Sequence, residues 1–432
     1  MIKYIFISFF VVFSSFVVFN CMGNNLPKLN TESDTSHNKI INIEQFQVFP
    51  IKGSSETDEV KYERWLNIKK AFEYCIENKY DLYFPKGTYD VGVRNFPFRQ
   101  EEGKGNQMKD CKSITIFGDG RGTILKTASV FGADVLQLNM VKNLTIKNFD
   151  ITAKLSSTKK AGSNGISITN GFDNIVLDNI YIYNLPGIDK GNYIDGGKGL
   201  TLQFDPNIDS VKGSLLATNI KVKNCAYGFR FDAVSVSDIL KGNINIKLQM
   251  EADRTFQGFS MSFGVPTENV KPGSKLVMDV DAVLTNSQQY VSFSRVIGGN
   301  YRFTLDKTID NKYINKDQNN KVWYKADPLF FAFLSNYSKD TNTTIRGNVG
   351  AVDTKIWMGA VGSVVEPLNL KNRTENNIFN FDIAGISSDE DFKLIEYQGN
   401  SINNSKINFT PRTLKKKLTF EKIKKNNSII IK

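Results

Sequence analysis

A short strand-like pattern returns at near-equal spacing through residues 135–304 and limits the fold more than any other feature of the chain. It reads Val135-Leu-Gln-Leu-Asn, Gly165-Ile-Ser-Ile-Thr, Gly199-Leu-Thr-Leu-Gln, Gly228-Phe-Arg-Phe-Asp, Gly258-Phe-Ser-Met-Ser and Tyr290-Val-Ser-Phe-Ser. The first apolar residues, Leu136, Ile166, Leu200, Phe229, Phe259 and Val291, are 30, 34, 29, 30 and 32 residues apart. A second pattern alternates with the first: Asn143-Leu-Thr-Ile-Lys, Asn174-Ile-Val-Leu-Asp, Asn219-Ile-Lys-Val-Lys, Asn243-Ile-Asn-Ile-Lys, Lys275-Leu-Val-Met-Asp and Tyr301-Arg-Phe-Thr-Leu. Each segment alternates apolar and polar residues, so one face is to be buried. Five residues cannot hide that face alone. Stacking each segment on its counterpart in the next repeat hides it and pairs its backbone groups. A β-sandwich also has many short strands, but it does not require the same pattern to return at one period. The expectation is an all-β parallel β-helix of about nine coils, roughly 40 Å long at one strand spacing per coil.

After Thr304 the rhythm continues with blurred register. Phe330-Phe-Ala-Phe, Ile356-Trp-Met-Gly and Leu394-Ile-Glu-Tyr continue the first strand, and Ile345, Asn377-Ile-Phe-Asn-Phe and Lys406-Ile-Asn-Phe the second. A long insertion, Ile309 to Pro328, leaves one coil. The Asn that opens several second strands suits a turn, because its side chain bonds nearby backbone and tolerates left-handed φ.

The flanks divide the chain. Residues 1–20 carry Lys3 and then an apolar run that is short for a membrane span, as in an export signal. The run meets Cys21, in the manner of a bacterial lipoprotein signal with Cys21 lipidated. Residues 22–40 are rich in Asn, Ser, Thr and Asp and read as a flexible linker. The β-helix domain is expected over 41–410, and 411–432 as a basic tail or cap. The predicted location is outside the cell, as a surface or outer-membrane lipoprotein or a secreted protein. Membrane contact would be through a lipid anchor alone.

Charge adds a limit. The formal net charge is +11, but Arg412 to Lys432 holds eight Lys or Arg against Glu421 alone. Much of the excess is thus a tail, and it does not point to nucleic acid. The single histidine, His37, lies in the linker. The folded body therefore has no His general base, no Ser-His-Asp triad and no His metal site. Of four cysteines, Cys75 and Cys111 fall in the N-terminal cap. They are read either as a disulfide pair in an oxidising compartment or as two buried thiols.

Residues 58–78 are expected to be helical: Trp65, Ile68, Lys69, Phe72 and Ile76 recur at spacings of 3 or 4, beside Ala71 and Cys75. Asp81-Leu-Tyr-Phe-Pro-Lys-Gly-Thr-Tyr follows, then Ile114-Thr-Ile-Phe-Gly-Asp-Gly-Arg-Gly-Thr-Ile-Leu. This succession resembles the N-terminal end of the pectate lyase superfamily, whose helix caps the open end of a right-handed β-helix. A cap is needed because the first coil exposes strand edges. The superfamily holds lyases, hydrolases and tailspikes, so the resemblance speaks to scaffold. The Asn-Thr-Asp, Asp-Asp, Gly-His-Gly, Arg-Ile-Lys and Trp-Ile-Asp-His signatures of its pectin-degrading members are missing. Gly118, Gly120 and Gly122 precede a strand and no Lys-Ser/Thr follows them, so they read as a turn and not a phosphate loop.

With the apolar residues of the first strand inward, the outward ones form a polar strip facing water: Gln137 and Asn139, Ser167 and Thr169, Thr201 and Gln203, Arg230 and Asp232, Ser260 and Ser262, Ser292 and Ser294. Arg230 suits a sugar carboxylate or sulfate. Asp205 extends the strip beside Asp232, and diagonal neighbours about 7–8 Å apart fall within the roughly 6.5–9.5 Å of an inverting acid–base pair. Catalysis is therefore assigned to Asp205, Asp232 and Arg230. Substrate binding is assigned to Lys198, Tyr193, Trp323 and Tyr324, the last two able to stack on a sugar. No metal ligand is assigned, although a lyase would use Ca²⁺, with Asp195 or Asp205 toward it. Glu251, Asp253 and Arg254 read as a solvated charged turn. The expected partner is an acidic polysaccharide, bound by a monomer and cleaved by a lyase or hydrolase. The rival is a non-catalytic surface adhesin or glycan-capture lipoprotein.

Overall fold

The structure, a computed structural model, describes residues 38–52, 56–91, 108–127, 134–153, 162–185, 187–189, 194–204, 213–233, 244–263, 276–309, 330–336, 338–349, 354–359, 374–384, 392–395, 402–410 and 428–431. The expected signal segment with Cys21, most of the linker and much of the C-terminal tail lie outside these residues. The main sheet joins its strands almost entirely in parallel, coil on coil, in a right-handed β-helix.

The first-strand ladder runs through Leu136, Ile166, Leu200, Phe229, Phe259, Val291, Phe333, Ile356 and Phe392, each in register with the next. Those from Leu136 to Ile356 point inward. Leu200, Phe229, Phe231 and Phe259 are all 0% exposed, and burying each such side chain contributes about 1.5–3 kcal/mol. Aromatic rings fill the column in its second half. Phe259 stacks on Phe229 with centroids 4.8 Å apart and meets Phe303, across the interior, at 5.1 Å.

The second-strand register differs from the sequence reading. Ile175 pairs with Leu215, and Ile180 with Ile220; Leu215 in turn pairs with Ile246. Asn219 is thus stacked above Asn179, not Asn174, and the segment opening at Asn243 is displaced by two residues. The cause is a coil with three straight segments and two similar corners. Asn143 and Asn148 have φ of 57° and 64°, and Asn174 and Asn179 have φ of 49° and 50°. Both corners need a left-handed residue, and both use Asn, which pays little for it. The corner amides also bond between coils: Asn174 Nδ2 donates to Asn143 Oδ1 at 3.0 Å, Asn179 Nδ2 to Asn148 Oδ1 at 2.8 Å, and Asn224 Nδ2 to Asn184 Oδ1 at 3.1 Å.

The N-terminal end is closed by the helix Asp58–Asn78. Ile68, Ala71, Phe72, Cys75 and Ile76 turn into the column's interior and join its core. Thr57 caps the helix by accepting from Val60 N, and Lys79 ends it in a left-handed conformation. Cys75 and Cys111 are buried free thiols, not a disulfide. Gly120 and Gly122 lie in a turn with φ of 84° and 102°. Glu251 and Asp253 are not merely solvated: they pair across coils with Lys221 at 3.0 Å and Lys223 at 3.3 Å. Among the described residues no helix is long and apolar enough to cross a membrane.

Candidate functional site

The first-strand face gathers the described site residues. Arg230 Nε lies 2.9 Å from each carboxylate oxygen of Asp232, and Arg230 Nη2 lies 2.8 Å from Oδ1. Lys198, one coil earlier, brings Nζ to 3.5 Å from Asp232 Oδ2. Arg230 Nη1 donates to Gln257 Oε1 and to Ser260 Oγ, both at 3.2 Å. Two cations thus share one carboxylate, and the cluster keeps one net positive charge. The side chains of Lys198, Arg230 and Asp232 are 19%, 22% and 25% exposed. Burial opposes the charge on Arg230, but Asp232 beside it prevails and holds the guanidinium above its ordinary pKa.

Only part of the strip faces water. Gln203 is exposed, whereas Ser167, Thr201 and Ser260 are buried. Asp232 has Gln203 on one side and Ser262 on the other. Its direct coil neighbours are therefore not carboxylates. Asp205, the expected acid–base partner, lies outside the described residues, as do Tyr193, Trp323 and Tyr324. Asp195 sits on the antiparallel hairpin formed by Gly187–Asp189 and Ile194–Gly196. Among the described residues no group of three or more His, Cys, Asp or Glu side chains is placed to hold a metal ion.

Apart from Lys198, sequence reasoning missed a further row. Two residues before each inward Leu, Ile, Phe or Val, the ladder carries Asp134, Asn164, Lys198, Tyr227, Gln257 and Gln289. Strict alternation would send Tyr227 inside with Phe229. Instead Tyr227 packs in a separate cluster with Ile194, Ala226 and Phe256. The glycine between permits this: a Cβ on Gly228 would come within 2.3 Å of Gly258 O and 2.8 Å of Ala252 Cβ. The chain can change faces here only without a side chain. The signal was the residue before each Gly of the repeat, at 198, 227 and 257.

This row is joined by hydrogen bonds and gives Arg230 a floor. The Arg230 guanidinium sits 5.1 Å above the Tyr227 ring, which meets Phe256 edge-on at 6.2 Å. Gln257 Nε2 donates to Gln289 Oε1 at 2.6 Å. Asn164 Nδ2 donates to Asp134 Oδ1 at 2.8 Å, and Asn164 Oδ1 accepts from Lys198 N at 3.2 Å. Burial pushes the Asp134 carboxyl above the usual carboxylate range, against the hydrogen bond from Asn164 and the charge of Lys198. A separate cavity of about 560 Å³ lies at the cap, lined by Gln47, Phe49, Lys52, Glu56 and Arg64 among others, and none of the strip residues lines it.

The fold class is a parallel β-helix with a polar, net-cationic face. No family model and no curated protein matches the chain. Among solved structures the chain is similar to one titled "Crystal structure of Agl-KA catalytic domain", at 11% identity and a TM-score of 0.35, over 91% of this chain and 68% of that one.

Proposed function

We propose that this chain is an exported protein, held at the surface through Cys21 or secreted, that binds an acidic polysaccharide along its first-strand face and cleaves it by lyase or hydrolase chemistry. The assignment to the pectate lyase superfamily belongs to the same reading and rests on the cap and strand motifs. One observation carries it: Arg230 and Lys198 converge on a single carboxylate over the Tyr227 ring. A sugar carboxylate or sulfate would compete with Asp232 for these two cations, while the buried Tyr227 ring beneath Arg230 holds the guanidinium in place. Polar side chains in successive coils then supply further contacts along an extended chain.

A second reading, glycan capture without cleavage, is favoured by a specific feature. Asp232 has both oxygens engaged by Arg230, and its stacked neighbours are Gln203 and Ser262. Screening pectate, alginate, sulfated galactans and glycosaminoglycans separates the two. Cleavage releases reducing ends, with new ultraviolet absorbance in the case of a lyase; capture gives binding without either. Arg230→Ala combined with Asp232→Ala should abolish both binding and release while the far-ultraviolet circular dichroism is kept. Retained binding in that double variant refutes the site.

A further inference from the structure

Next to the cationic cluster lies a patch of a different kind. Thr201 is 2% exposed, and its Oγ1 has no hydrogen-bond partner among the described residues. Thr169 Oγ1 and Gln137 Oε1 are in the same state. Buried polar atoms are nearly always paired, because leaving one unpaired forfeits its hydration. With Ser167 Oγ, four occur on one outer face. Gln137 stacks on Ser167, Ser167 on Thr201, and Thr201 on Arg230. Thr169 is two residues along from Ser167 on the same face. The unpaired oxygens thus lead, coil by coil, up to the guanidinium.

We infer that the strip selects a glycan in which anionic and neutral residues alternate, with the anionic residue at Arg230 and Lys198 and its neutral neighbour on Gln137, Thr169 and Thr201. This rests on the polysaccharide-binding reading above and names its substrate class. Hydroxyl and amide oxygens match the hydroxyl or acetamido groups of a neutral sugar. They match a second carboxylate poorly, since they offer no positive charge. Asp134 lies beside the patch, accepting a hydrogen bond from Asn164, and adds no positive charge there. A polymer charged at every residue therefore meets two cations at one step and no positive charge at the next. Access is coupled to the same event. Thr201 is buried and stacks directly on Arg230, so an anion that draws Arg230 and Lys198 away from Asp232 uncovers it.

The experiment is calorimetric titration of the full chain with two probes at equal ionic strength. One is a hyaluronan hexasaccharide, in which uronate and neutral N-acetylhexosamine alternate; the other is hexagalacturonate, charged at every residue. The hyaluronan hexasaccharide should bind at least about tenfold tighter, and Thr201→Val should remove about that factor, as expected for one lost hydrogen bond. Thr201→Ser should restore it, and neither variant should change hexagalacturonate binding. Equal or tighter binding of hexagalacturonate overturns the inference and leaves the binding site standing. So does a Thr201→Val variant with unaltered affinity, which would mean that ordered water alone serves these oxygens. Failure of both probes to bind overturns this inference together with the proposed acidic-glycan function.

Discussion

Replacing Phe259 by Ala tests the interior column at its most crowded point. Phe259 is 0% exposed and lies in register between Phe229 and Val291. Its ring stacks on Phe229 at 4.8 Å with 16° between planes, and meets Phe303 at 5.1 Å and Phe293 and Tyr301 at 6.2 Å. Truncating a buried Phe costs about 3–5 kcal/mol through lost transfer energy and the cavity left behind. The stacked partner adds about 0.5–1.5 kcal/mol of pairing, and rigid neighbouring coils cannot collapse onto the hole. A loss of about 4–5 kcal/mol is therefore expected. Phe259→Leu keeps most of the volume but loses the ring stacking, and should cost clearly less than the Ala variant, about 1–3 kcal/mol. Urea unfolding followed by circular dichroism measures both as shifts in midpoint at constant slope. Since each coil supports mainly its neighbours, amide exchange should rise first in Gly228–Ala233 and Tyr290–Ser294, and last at the helix Asp58–Asn78. A loss below about 1 kcal/mol for the Ala variant, or one no larger than that of the Leu variant, would refute a close-packed aromatic interior.

Asp134 gives a pH-dependent prediction. Its folded pKa is raised by burial, so its contribution is complete below the unfolded carboxylate range, near about pH 4, and is lost as pH rises through the folded value. Asp134→Asn should accordingly be more thermostable than the wild type at pH 7, with the gap closing toward pH 4; a gap that widens on acidification contradicts the assignment. Burial also pushes the thiols of Cys75, Cys111 and Cys225 up to about 12. These three should react with Ellman's reagent only after unfolding, and rapid labelling of Cys75 or Cys111 in the native protein would show that the cap is open.

The first-strand ladder was readable because its inward residues are large and its period is nearly constant. Leu200, Phe229 and Phe259 fell into register without correction. The helix was readable for the same reason, since Ile68, Phe72 and Ile76 mark one face. The second ladder was not, because corners at Asn174 and Asn179 carry the same residue for the same backbone reason, five positions apart. Nothing local distinguishes them; only pairing with Leu215 and Ile220 does. Half of the candidate site was legible as charge on an outward position, at Arg230 and Asp232. Tyr227 and Gln257 were not, because alternation assigns them to the interior, and the change of face at Gly228 depends on the carbonyl of the coil above. The burial of Thr201 is set by its stacking between Ser167 and Arg230 of other coils, which a single strand does not reveal.

The cross-coil bonds of the corner asparagines bear on how a molecule of this kind can lengthen or shorten. Asn143, Asn174 and their counterparts at Asn148 and Asn179 match only when each lap of the chain reaches its bend at the same height. Gaining or losing one residue inside a straight segment would throw a left-handed bend onto a residue that resists it and turn greasy side chains to the solvent. Adding a complete lap disturbs neither. Size in such a scaffold is therefore quantised: it changes by whole laps, or by loops hung outside the column, and hardly at all in between.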